Sequence, residues 1–210
     1  MLGIHTYGLF IVAGLLLNLT PGQDTMFIIG QSLSGGRRAG AAAALGISLG
    51  SVCHTIAAAL GLSAILATSA RAFMLVKLAG AAYLVYLGLR LLLAPAAANA
   101  RGTAASAARM PQRAVLRQGI LTNILNPKVA LFFLAFLPQF IVPTSHTRTL
   151  AFLVLGATFI TTGLLWCLVV AFAAARLQTF FARNPSVRTL IDRVVGGLFL
   201  ALGARLVWSR

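Results

Sequence analysis

Polar positions in this chain do not alternate with apolar ones; they fall between long apolar runs. A helix that crosses the hydrocarbon core of a bilayer needs about 20 consecutive, mostly apolar residues. Six runs reach that length: 7–33, 39–69, 72–94, 119–142, 149–175 and 190–208. Six spans use about 120 residues, so the connections are short and no soluble domain fits between them. The pattern predicts an all-α integral membrane protein, one transmembrane domain over 1–210 with six transmembrane helices. The first run is not a secretory leader by pattern. It lacks a charged n-region, and Pro21-Gly22 and Asp24 interrupt it. It is expected to be a retained helix.

The two halves are similar to each other. A shift of 106 places Pro21 on Pro127, Phe27 on Phe133, Gly50 on Gly156 and Thr55 on Thr161. A shift of 116 places Lys77 on Arg193 and Gly80 on Gly196. An apolar chain gives some such matches by chance, and the paired prolines in runs one and four are the informative ones. The repeats are about 1–94 and 119–210, joined by a loop at about 95–118. Three spans per repeat is an odd number, so the second repeat enters the membrane from the opposite side. Two inverted three-helix repeats are a transporter architecture, with the binding site at the paired, broken helices.

Composition excludes the common soluble classes. Apolar residues make up 60% and charged residues 9%, against about 45–50% and about 25% in soluble domains. A disordered basic tail would be poor in apolar residues. The net charge of +15, from 17 bases and 2 acids, would ordinarily point to nucleic acid. Here the bases sort by loop instead. One side takes Arg37 and Arg38; Arg90, Arg101, Arg109, Arg113 and Arg117; and Arg176, Arg183, Arg188 and Arg193. The other takes Arg71, Arg148, Arg205 and Arg210. Basic loops stay in the cytoplasm, so both termini are expected outside, and no nucleic-acid partner is expected. Arg109, Arg113 and Arg117 recur every four residues. They suit either a helix lying on anionic headgroups or a solvated linker.

The chemistry concentrates at two breaks. Run one contains Asn18-Leu-Thr-Pro21-Gly22-Gln23-Asp24, and run four contains Asn123-Ile-Leu-Asn126-Pro127-Lys128. Proline removes a helix hydrogen bond and clashes with the preceding turn. Irregular backbone survives at membrane depth only where protein or a polar cavity satisfies it. One such break reads as a kink; two at matching repeat positions, each with Asn and an ionisable neighbour, read as a site. Asp24 is the sole acid before Asp192. A mid-membrane acid costs about 2.5–3.5 kcal/mol on insertion scales, which marks Asp24 as functional. It would receive a substrate ammonium or exchange a proton; pairing with Lys77 or Lys128 for assembly alone is the competing role.

His54 ends Gly46-x3-Gly50-x3-His54, three positions on one helix face. The small residues let another helix approach, through internal packing or a homodimer equally well. His54 therefore faces a packed interface, as a proton-exchanging group or as a hydrogen-bonded interior residue. Lys77 is either a site residue or snorkels to the interface. Tyr83 and Tyr86 form a cavity wall or an interfacial anchor. Cys53 and Cys167 lie inside runs with no disulfide or metal-ligand spacing and are given packing roles.

Two motif matches are set aside. Gly46-Ile-Ser48-Leu-Gly50 fits a hydrolase elbow, which requires a strand, turn and helix. Ser48 and His54 also lie about 600° apart around a helix, so a hydrolase pairing is not expected. Asn18-Leu-Thr20 fits a glycosylation sequon but lies inside the membrane before proline.

Taken together, these residues carry a family resemblance. The segments are Asn18-Leu-Thr-Pro-Gly-Gln-Asp24, Ser34-Gly-Gly-Arg-Arg-Ala-Gly40, the Gly46–Gly50–His54 stripe, Lys77-Leu-Ala-Gly-Ala-Ala-Tyr-Leu84, Asn123-x-x-Asn-Pro-Lys128 and Pro138-Gln-Phe140. In this order they resemble the LysE/RhtB amino-acid exporter family, from the first run to the last. Gln23 departs from the pattern, which usually has a second proline there. The resemblance implies a proton-driven secondary carrier of the bacterial inner membrane that exports amino acids or their derivatives, without a cofactor. The candidate substrate-binding or coupling residues are Asp24, Asn18, Pro21, Gly22, His54, Lys77, Asn123, Asn126, Pro127 and Lys128. The wider superfamily also includes metal carriers. A metal or other cation carrier is therefore the alternative, with Asp24, His54 and Cys53 the only candidate ligands and no recognisable metal spacing among them.

Overall fold

The computed structural model describes residues 3–62, 70–93, 110–142 and 144–208. Arg101, Arg109 and the side chains of Lys77, Tyr83 and Asp192 lie outside the described set. The elements are α1 (Tyr7–Leu19), α2 (Gln23–Ala57, running into a π-helical turn Ala58–Leu62), α3 (Ala70–Leu93) and α4 (Gln112–Ile124). They continue with α5 (Pro127–Leu131, then a π-helical turn Phe132–Phe136 and a 3-10 turn Leu137–Phe140), α6 (Arg148–Arg183) and α7 (Pro185–Trp208). Among the described residues the β pairing is one isolated bridge, Ile4 with Ile141.

Two described stretches, Gln23–Leu62 and Arg148–Ala174, are long and apolar enough to cross a membrane. Gln112–Ile124 with Pro127–Phe140, bent by 48°, makes a third if the pair is one span. The described residues are thus essentially all helical, with stretches long and apolar enough to span a membrane.

Several boundaries differ from the sequence pattern; the expected gap between runs five and six is helical but for Asn184, and two others shape the site. The gap between runs one and two is not a loop but a single break at Gly36, which has φ 74°. That left-handed conformation favours glycine. The chain folds back there: a methyl placed on Gly40 would lie 3.0 Å from Ser32 Cβ, whereas eight residues of straight helix span about 12 Å. The second difference is at α4, which begins at Gln112 rather than Gly119. Pro111 precedes it in an extended conformation, as a helix start allows. Arg113 and Arg117 therefore belong to a helix whose other face buries Val115, not to a loop.

Glycines set the helix contacts. Past Gly36, α2 runs parallel to α4: Gly46 meets Leu116 and Gly119, and Gly50 meets Ile120 and Asn123. The glycine stripe is thus filled from within the chain. On its other side α2 runs antiparallel to α6, with Gly40 near Ala171 and Gly156 against Thr55. α3 and α7 are likewise antiparallel: Gly88 touches Gly196 and Leu200, and Gly203 touches Ala81 and Val85. Without hydrophobic force between helices in lipid, such close backbone approach is what holds them.

The interior holds two apolar clusters. One is aromatic, with Phe10, Phe132, Phe133, Phe136, Phe140, Phe152 and Phe159. The other is built from small residues and aliphatics, among them Ile28, Ala43, Ala44, Ile47, Val115 and Ala171. Many leucines face outward, for example Leu125, Leu60 and Leu165. Asn123, Asn126, Thr20 and Ser51 are buried. Leucines exposed on the outer surface and amides buried inside are the arrangement a hydrocarbon solvent favours.

Candidate functional site

The two helix breaks meet. α1 ends at Leu19, with Thr20 extended, and Gly22 precedes α2. α4 ends at Ile124, and Asn126 caps α5 by accepting the Lys128 backbone N–H at 3.0 Å. Pro127 occupies the first helical position, where a missing N–H costs nothing. Each break satisfies the other. Lys128 Nζ donates to the Leu17 and Thr20 carbonyls at 2.8 and 2.9 Å, a cation at the negative end of α1. Gln23 Nε2 donates to the Thr122 carbonyl at 2.9 Å, in the last turn of α4. A proline at position 23 would have no such donor. His54 Nε2–H donates to the Asn123 carbonyl at 3.1 Å, and its ring lies 5.8 Å from Phe133.

Asn123 joins the breaks to α2. Its Nδ2 donates to Asp24 Oδ2 at 2.8 Å, and its Oδ1 accepts from Ser51 Oγ at 3.1 Å. The carboxylate of the first break is thereby held by the amide of the second.

These residues surround a cavity of about 40 Å³, more than one water requires. It lies between the two apolar clusters: Leu17, Val129 and Phe159 come from the aromatic one, Ile47, Leu164 and Trp166 from the other. Three fully buried polar atoms have no protein partner among the described residues: Asn18 Nδ2, Asp24 Oδ1 and Trp166 Nε1. All three residues line this cavity. A buried polar group left unpaired costs about 1–3 kcal/mol, more if charged. The wall thus contains one acceptor and two donors without protein partners, and the space beside them suits a small polar occupant.

The LysE type translocator model matches residues 15–210. The chain belongs to this family. Its relatives in the family align along nearly their whole length. An uncharacterized membrane protein of Vibrio cholerae is 34% identical, over 99% of this chain and 98% of that protein. A homoserine/homoserine lactone efflux protein of Salmonella typhi is 29% identical, over 96% and 95%. A leucine efflux protein of Salmonella typhimurium is 26% identical, over 97% and 95%. No solved structure matches. The family is one of translocators, and the two Salmonella relatives carry amino-acid or amino-acid-derivative efflux in their names.

Of the residues expected to form the translocator's site, Asp24, Asn18, Gly22, Asn123, Asn126 and Lys128 line the cavity. Pro21 and Pro127 shape the breaks without appearing in its wall. His54 stands behind Asn123, secured to its carbonyl. Lys77 lies outside the described side chains. Lys128 directs its ammonium at the α1 carbonyls. Tyr86 is exposed rather than part of a cavity wall. Cys53 also faces outward, whereas Cys167, assigned to packing, lines the cavity. Ser48 lines it too, with its hydroxyl donated to the Ala44 carbonyl at 3.0 Å. Among the described residues no three His, Cys, Asp or Glu side chains converge as a metal group.

Sequence reasoning missed Trp166, Thr20, Thr25, Ser51 and Gly163 as wall residues. Trp166 had a usable signal. Tryptophan in membrane helices favours the interfaces, and this one sits well inside an apolar run, after Thr161-Thr162-Gly163.

Proposed function

We propose that the chain is a secondary active exporter of small amino acids or their derivatives across the bacterial inner membrane, driven by the proton gradient. The observation that carries this reading is Asp24. One of its oxygens is fixed by Asn123, the other has no protein partner among the described residues, and the residue lines the cavity where both broken helices meet. A substrate ammonium would bind that second oxygen, and a proton would replace it on the return. The efflux activities named for the Salmonella relatives support the substrate class. Among the described residues, a resident or transported metal has no comparable donor group in its favour.

The architecture that goes with this function is six transmembrane helices in two inverted repeats. Helices equated by the repeat, the second part of α2 with α6 and α3 with α7, pack antiparallel, as a two-fold axis in the membrane plane would require. The two breaks also latch one another, Lys128 onto α1 and Gln23 onto α4. Transport would then be a movement of one repeat against the other about this latch, with both termini outside.

The test is efflux from cells loaded with dipeptides covering a panel of amino acids, with and without a proton uncoupler. Asp24→Asn keeps the shape but not the charge. Its efflux should fall at least tenfold, about 1.4 kcal/mol in barrier, at unchanged membrane expression. Undiminished amino-acid efflux by this variant would remove Asp24 from the mechanism, and efflux insensitive to the uncoupler would remove the proton.

A further inference from the structure

The exporter reading gives the substrate ammonium a partner and leaves its carboxylate without one. Lys128 is the cation nearest to hand, yet its ammonium is engaged by the Leu17 and Thr20 carbonyls. Two fully buried donors stand unpartnered beside it. The Trp166 indole N–H and the Asn18 amide N–H are both buried in the wall with no protein acceptor among the described residues. They come from different elements, α6 and α1, and the third unpartnered atom, Asp24 Oδ1, comes from α2. Donors on two helices and an acceptor on a third form a dipolar lining.

A zwitterion has the complementary dipole. Its carboxylate accepts from N–H groups, and its ammonium donates to a carboxylate. Neutral donors suit this task, since hydrogen bonds to an ionised acceptor are about twice as strong as neutral pairs. The rest of the wall decides the side chain. Ile47, Val129, Phe159, Ile160 and Leu164 are apolar, and the described wall has no second carboxylate to meet a cationic side chain.

Resting on the exporter reading, we propose that Trp166 and Asn18 bind the substrate carboxylate, so that the site selects neutral amino acids with an apolar side chain and an unblocked α-carboxylate. Trp166 is then a specificity-determining residue, and a carboxamide analogue of the same amino acid is a poor substrate. A site that recognised the ammonium and the side chain alone would accept both equally.

The experiment uses the full chain reconstituted in liposomes and follows counterflow of labelled leucine, with unlabelled leucine, leucinamide or lysine as competitor. Leucinamide keeps the ammonium and side chain and lacks only the carboxylate. Wild type should prefer leucine over leucinamide at least tenfold, about 1.4 kcal/mol, and ignore lysine. Trp166→Phe keeps an aromatic ring and deletes the N–H. Its preference should collapse toward unity, through weaker leucine competition and unchanged leucinamide competition. A preference that survives Trp166→Phe overturns the carboxylate assignment while leaving the exporter reading intact. Lysine competing as well as leucine overturns the neutral-side-chain assignment. Wild type that transports no amino acid overturns both readings. Should Trp166→Phe fail to fold, Trp208→Phe supplies the second measurement. Trp166 is then the only tryptophan, and its fluorescence should respond to leucine and not to leucinamide. An equal response to the two overturns the assignment.

Discussion

At the scale of single residues, Asn123 is the junction on which the site depends. Its amide serves Asp24 and Ser51, its carbonyl serves His54, and it is only 1% exposed. Hydrogen bonds inside membrane proteins average about 0.6 kcal/mol, so Ser51→Ala should cost about that much. Asn123→Ala should cost several times more, because it leaves a buried carboxylate oxygen without its donor. Thermal midpoints of the two purified variants in one detergent test the order. Equal shifts would mean that Asn123 does not carry the carboxylate. This junction was legible in part. An acid, three asparagines and a lysine stand out in apolar runs because each is costly there. Trp166 is not costly there. Nothing in its own chemistry separates a cavity-lining indole from a packed one, and only its depth in the run hinted at a role.

At the scale of elements, glycine means different things at different places. Gly46 and Gly50 let α2 lie on the α4 backbone: a methyl on Gly46 would stand 3.0 Å from Gly119 Cα and closer still to the Leu116 carbonyl. Gly30 is also helical but has nothing within 4 Å of its added methyl. Alanine at position 30 should therefore stabilise by about 0.5–1 kcal/mol through helix propensity. Alanine at position 46 should cost about 1–3 kcal/mol by overpacking and lower efflux, since it pushes Asn123 away from Ser51 and His54. Opposite shifts of thermal midpoint are expected; a shared direction would deny the close α2–α4 approach. The i, i+4 spacing made the stripe visible in the sequence. Its occupant was not, because close packing within a chain and between chains require the same small residues. The fold-back at Gly36 was hidden for a related reason. Polar residues 34–38 look like a loop, and only the backbone angles distinguish a loop from one left-handed residue. The contribution of Gln23 was equally hidden, since its acceptor is a carbonyl nearly a hundred positions away.

At the scale of the whole molecule, helix directions and charges tell one story. α2 beyond Gly36 runs parallel to α4 and antiparallel to α6. That places Arg37, Arg38, Arg113, Arg117, Arg176 and Arg183 toward one end. The chain from Gly3 to His5 pairs with Phe140 and Val142 at the other end, where His146 and Arg148 follow. The excess of bases at the first end predicts that it is cytoplasmic. A single cysteine can decide this. In a background with Cys53 and Cys167 replaced, His146→Cys should react with a membrane-impermeant maleimide in intact cells. Arg37→Cys should react only after permeabilisation. The two exposed positions lie at opposite ends of the helices, so the proposed six-span arrangement gives opposite results whichever way it is inserted, and equal labelling would contradict it. The reverse pattern would keep that arrangement and turn the molecule over, making the arginine-rich end external. Asp24 would still sit between the breaks, but the Gly3–His5 strap would then close the cytoplasmic side, and substrate leaving the cell would first have to pass the aromatic cluster.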